Sequence, residues 1–191
     1  MRVRHFLIFL SCLMLAASCS EVGVVSSRFC SKYAKFSVDN VISISQLYSA
    51  CQSPGEWCTI TAENDRYIFA NLKGRTPINK VALGAYTGFY LGIGGFIVGL
   101  PNTNEPGYDT PMVTCYDLAC SNCEKESGYL SIRLEMREFG FAACPKCKRS
   151  YNLNNTGTIS AGEPGISLYR YRVYYSPERY GGTLSVDNGY R

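Results

Sequence analysis

Between residues 67 and 186 the chain alternates short runs rich in Tyr, Ile, Val, Leu and Phe with clusters of Gly, Pro, Asn and Asp. That pattern predicts strands joined by turns. The clearest case is 129–137, where Leu130, Ile132, Leu134 and Met136 alternate with Ser131, Arg133, Glu135 and Arg137. A period of two gives one buried and one wet face, which suits an antiparallel sheet. Further strands are predicted at 67–72, 89–98, 112–117, 166–175 and 183–186. The segment 41–51 fits a short helix or a strand equally. With no long helical period, no repeat and no low-complexity linker, the expected fold is all-β, a small stack of antiparallel sheets.

The glycines of Leu91-Gly92-Ile93-Gly94-Gly95-Phe96 fall inside one of these predicted strands. They lack the Lys-Ser/Thr of a phosphate loop and the spacing of a dinucleotide fingerprint. A bulge or a close backbone approach is the expected reason for them.

The first residues change the picture of where the chain works. Arg2 and Arg4 precede an apolar run and the small residues Ala16, Ala17 and Ser18, the layout of a secretory signal over 1–18. The run is too short to cross a bilayer. Leu15-Ala16-Ala17-Ser18-Cys19-Ser20 resembles a bacterial lipobox, with Ala16 where Leu is usual. The resemblance implies a lipidated Cys19, a tether over 19–28 and a domain over 29–191. The protein is then expected in a bacterial cell envelope, bound to a membrane and facing the periplasm or the exterior, with an envelope protein as its partner.

The 191 residues are 46% hydrophobic and 18% charged, in the range of one globular domain. Removing the signal lowers Lys plus Arg from 19 to 17 against 15 Asp plus Glu, a net of +2 in place of +4. That balance points away from nucleic acid as a partner. The only histidine, His5, goes with the signal. A mature chain without imidazole has no Ser-His or Cys-His nucleophile and no His-ligated zinc. Asp117, Glu124 and Glu126 have no second residue type at a suggestive spacing and read as solvated charges. An enzyme is therefore not the favoured reading.

Four of the ten cysteines carry the strongest signal. Cys120-Ser121-Asn122-Cys123 is followed, after twenty residues, by Cys144-Pro145-Lys146-Cys147, the CxxC…CxxC spacing of a metal site. Two such turns facing each other make a tetrahedral thiolate cage. Disulfides are the competing reading outside the cytoplasm, but a bridge within CxxC closes a very small loop with little entropic gain. Lys146, Lys148 and Arg149 read equally as charge compensation for the thiolates or as a solvated turn. Cys30, Cys51, Cys58 and Cys115 lack the pattern, and one or two disulfides are expected in the loop-rich stretch that holds Cys30, Cys51 and Cys58, with the pairing open. The tyrosines Tyr169, Tyr171, Tyr174 and Tyr175 read mainly as half-buried packing.

The segments around the cysteines resemble a known family. Tyr116-Asp117-Leu118-Ala119-Cys120-Ser121-Asn122-Cys123 is similar to the first cluster loop of Rieske iron-sulfur proteins, in which an aromatic-Asp strand end runs into Cys-x-His. Cys144-Pro145-Lys146-Cys147, Tyr151, Thr156-Gly157, Gly162-Glu163-Pro164-Gly165 and Leu168-Tyr169-Arg170-Tyr171 resemble the second loop and the strands behind it. The likeness covers roughly 95–175. It implies Rieske-like stacked antiparallel sheets carrying a rubredoxin- or zinc-ribbon-like metal-binding subdomain at about 115–152. Rieske clusters use two Cys and two His. Here Asn122 occupies the first histidine position, with Cys123 beside it, and Cys147 replaces the second. Three occupants follow, in order: a zinc ion held by Cys120, Cys123, Cys144 and Cys147; an all-cysteine [2Fe-2S] cluster serving electron transfer; and a pair of disulfides. The signal has no adjacent arginine pair, so the chain is expected to be exported unfolded and to acquire its metal outside, which places zinc first.

Overall fold

The computed structural model describes residues 29–83 and 89–189. The expected signal at 1–18, and Cys19 with all of its tether over 19–28, lie outside the described residues. Fifteen elements follow in chain order: β1 (Ala34–Val38), α1 (Ser45–Gln52), β2 (Trp57–Glu63), β3 (Arg66–Asn71), β4 (Gly74–Asn79), β5 (Phe96–Gly99), β6 (Thr114–Asp117), α2 (Ser121–Ser127), β7 (Glu135–Arg137), β8 (Phe141–Ala143), β9 (Ser150–Asn152), β10 (Thr158–Ala161), β11 (Arg170–Tyr171), β12 (Val173–Ser176) and β13 (Thr183–Asn188). The fold is mostly β, as the alternation predicted. Short 3-10 turns at Val41–Ser43, Val81–Leu83 and Glu138–Gly140 complete it. Among the described residues, no helix is long and apolar enough to cross a membrane.

The strands form three antiparallel sheets. A six-stranded sheet, β11-β6-β5-β2-β3-β4, stands between a three-stranded sheet, β1-β13-β12, and a four-stranded one, β10-β9-β8-β7. Alternating side chains divide the middle sheet between two cores. Cys58, Ile60, Phe96, Val98 and Cys115 point into a core shared with β1, α1 and β13. Trp57, Ile97 and Tyr116, their neighbours in sequence, point into a second core with Leu153, Tyr151 and the four-cysteine segments. Burial on both faces explains why β5 reads as a continuous apolar run rather than an alternating one.

Several predicted elements differ from those observed. The segment 129–137 keeps the expected burial, with Leu134 buried and Arg133, Glu135 and Arg137 exposed, but only Glu135–Arg137 is a strand. Its first part crosses to the loop after β6, where Cys120 N–H donates to Ile132 O at 2.8 Å and Leu134 N–H to Leu118 O at 2.8 Å. The segment 41–51 is a 3-10 turn followed by helix. The predicted strand at 89–98 begins only at Phe96, because residues 91–95 form a loop beneath Asp117.

That loop shows why glycine is required. Asp117 is completely buried and accepts hydrogen bonds from Ile93 N–H (2.7 Å), Gly94 N–H (3.0 Å), Ala119 N–H (2.6 Å) and the Tyr171 hydroxyl (2.6 Å). The expectation of a solvated charge is wrong for Asp117: burial pushes its carboxyl up, against the pull of Tyr171 and the three amides. A Cβ on Gly94 would lie 2.7 Å from the Ala119 nitrogen. Gly94→Ala should therefore displace the backbone leading to Cys120 and cost about 1–3 kcal/mol in denaturant melts. A loss below roughly 0.5 kcal/mol would show that the two loops are not tightly packed.

Candidate metal centre

The two CxxC motifs meet from different kinds of local structure. The first opens a helix: Cys120 precedes α2, Cys123 lies in its first turn, and Glu124 N–H donates to Cys120 O at 3.1 Å. The second is a turn between β8 and β9, in which Cys144 N–H donates to Arg149 O at 2.9 Å and Lys148 N–H to Cys144 O at 3.1 Å. Lys148 takes the left-handed conformation there, φ 62. The Cys147 amide lies 3.5 Å from Cys144 Sγ, so the turn aims a donor at the sulfur of its own first cysteine.

Together the four sulfurs form one compact group. Cys120 and Cys147 Sγ are 3.6 Å apart, Cys123 and Cys144 Sγ are 3.7 Å apart, and all four lie within 4.8 Å of one another. A tetrahedron with metal–sulfur bonds near 2.3 Å has edges of about 3.8 Å. The donor set thus fits one soft-ligand ion. Cys120, Cys123 and Cys144 are buried, and Cys147 is partly exposed.

Three side chains that sequence spacing did not single out shape this group. Asn122 donates to the Tyr151 hydroxyl at 2.8 Å, and that hydroxyl is hydrogen-bonded with Cys120 Sγ at 3.2 Å. Asn122 also bridges the neighbouring loop, donating to Ile166 O at 2.8 Å and accepting from Ile166 N–H at 2.9 Å. It therefore acts as a clamp at the position where the resemblance places a ligand. Glu124 accepts from Lys32 at 2.7 Å and from the Tyr169 hydroxyl at 2.6 Å, and these partners hold its carboxyl below the usual range.

Of the basic residues beside the second motif, Arg149 is drawn into the site. It is buried, bonds Glu163 O and Pro164 O through its guanidinium, and pairs with Glu126 at 3.0 Å. Lys146 and Lys148 are exposed. Burial pushes the Cys123 and Cys144 thiols up. Burial opposes ionisation of Cys147 too, but the Arg149 amide, Cys144, the Arg149 guanidinium and Cys120 outweigh it and bring this thiol down to about 7.

The remaining cysteines correct an expectation. Cys30, Cys51, Cys58 and Cys115 are free thiols, not disulfides. Cys58 and Cys115 are fully buried on the core face of β2 and β6, where they pack as small apolar side chains and burial pushes both thiols up. Of the tyrosines, Tyr171 is fully buried rather than half-buried, and Tyr174 is exposed.

No protein-family model matches the chain, and no match is found among curated proteins or solved structures.

Metal binding here must release protons, because Cys123 and Cys144 hold theirs near neutral pH. Below about 7 Cys147 adds another. The apparent dissociation constant should rise at least roughly 100-fold for each unit of pH lowered from 8 to 6, and more steeply below 7. Chelator competition across that range measures the slope; a pH-independent affinity would show that the four thiols do not bind the ion.

Proposed function

We propose that this protein is an exported, lipid-anchored envelope module whose four cysteines hold one structural zinc ion in a Rieske-like domain. The observation that supports a single ion is the sulfur spacing, with every separation within 4.8 Å. A [2Fe-2S] cluster needs its two cysteine pairs spread across two irons. The burial of three of the four sulfurs supports a closed structural site over a catalytic one.

In this reading the ion joins the loop after β6 to the β8–β9 turn. Neither loop has a strand ladder to the other, so the ion replaces a missing piece of core. The placement of the two motifs, one after an aromatic-Asp strand end and one in a hairpin turn, supports the Rieske-like likeness. Arg149 and the Tyr151 hydroxyl offset the excess negative charge that four thiolates leave around a divalent ion. Cys19 anchors the chain, the domain meets an envelope protein partner, and nucleic acid plays no part.

The second reading, a [2Fe-2S] electron carrier, draws on Cys147, the one cysteine of the four that is not buried, which offers an electron a route outward.

Metal analysis and a visible spectrum of protein purified from the envelope without refolding separate the two. About one zinc per chain and no visible absorbance are expected. About two irons with visible bands would overturn the zinc reading, and four oxidised thiols without metal would overturn both. Cys123→Ser and Cys144→Ser should each lose the zinc and several kcal/mol of stability. Cys58→Ser should retain the metal.

A further inference from the structure

Outside the metal centre, a cleft of about 510 Å³ lies between the β7–β8 hairpin and the β2 and β3–β4 loops. Its volume falls in the range of sites that enclose a ligand or a side chain. Its walls include Leu72, Met136, Phe139 and Trp57. Four observations say what it accepts.

First, β7 is an edge strand of its sheet. Gly140 O and Cys144 N–H bond to the β9 side, so by alternation Phe141 and Ala143 bond to β7, and their partners Arg137 and Glu135 face β8. Met136 then turns its N–H and C=O the other way, toward the side on which Leu134 N–H meets Leu118 O. No other strand pairs with β7 among the described residues.

Second, Phe139 stands 83% exposed at the hairpin tip in the left-handed conformation, φ 59. An L-residue there costs roughly 1–2 kcal/mol, and a ring facing water returns little of it. Third, Leu72 across the cleft is 60% exposed. Fourth, Trp57 is 95% buried, and its indole N–H has no hydrogen-bond partner among the described residues.

We propose that this cleft binds an extended peptide segment of a partner protein, which adds to the free edge of β7 and places one apolar side chain between Phe139 and Leu72. Main-chain bonds to Met136 supply affinity, and the apolar slot supplies selectivity, the division of labour in strand addition. The charged rim carries both signs, with Lys73 paired to Glu56 and Arg137 to Glu135, so it favours a segment of low net charge at the slot. The proposal rests on reading the domain as an interaction module.

Trp57 is the only tryptophan of the chain, so its fluorescence reports on the cleft alone. Random heptapeptides displayed on phage are selected against the full metal-loaded protein, and the enriched sequences are synthesised. The expected peptides alternate apolar and polar residues, saturably change Trp57 emission, and slow amide exchange at Met136. Phe139→Ser and Leu72→Ser, both at exposed positions, should weaken them roughly tenfold or more, while Tyr174→Ser on β12 leaves them unchanged. Failure to enrich any peptide, binding that survives Phe139→Ser, or a saturable response to cellotetraose in place of peptides would each overturn the proposal. Metal content measured on the same samples keeps this outcome separate from that of the zinc reading.

Discussion

Four sulfur atoms within 4.8 Å of one another, three of them buried, are the arrangement on which the rest of this structure depends. As thiolates they repel one another, and as thiols they are weak hydrogen-bonding groups. α2 has seven residues, too few to stand as a helix on its own. β7, β8 and β9 have three residues each. A divalent ion held by the four sulfurs would turn this weakness into a crosslink, because one set of bonds would fix both loops at once.

The surroundings of the sulfurs are built accordingly. Asp117 gathers three amides and a hydroxyl where β6 leaves the sheet, which sets the path into Cys120. Asn122 ties α2 to the Ile166 loop and orients Tyr151 toward Cys120. Glu124 ties the same helix to Lys32 near the start of the described chain, and Arg149 closes the other side. The loops are thus held from outside by hydrogen bonds and from inside by the cysteines.

The legible parts of this architecture were those governed by spacing. Alternation revealed the mostly β fold and the buried face of 130–136, and the two CxxC motifs revealed the four sulfurs that meet. Elements set by tertiary contact were not legible. The strands β1, β2 and β4 lack a distinctive run, and the helix at Ser121–Ser127 was hidden because its motif reads as a turn. The burial of Asp117 depends on glycines 23 to 25 residues earlier and on Tyr171 far downstream, which no local pattern expresses. Asn122 was visible only as a departure from the Rieske pattern, and its clamp on Ile166 emerges only when the two loops are adjacent. Cys30, Cys51 and Cys58 suggested disulfides because they are close in sequence, yet each is placed by packing.

The exposed Phe139 and the free edge of β7 sit at the far end of the hairpin whose base carries Cys144. In the proposed reading, loading the metal site and presenting the cleft are tasks of one hairpin, and an ion bound there would stabilise the element that a partner meets. The central claim is a single ion held by Cys120, Cys123, Cys144 and Cys147, and X-ray absorption at the metal edge of the purified protein tests it most directly. Four sulfur neighbours at about 2.3 Å with no second metal nearby are expected. A short metal–metal vector with bridging sulfides would contradict the claim.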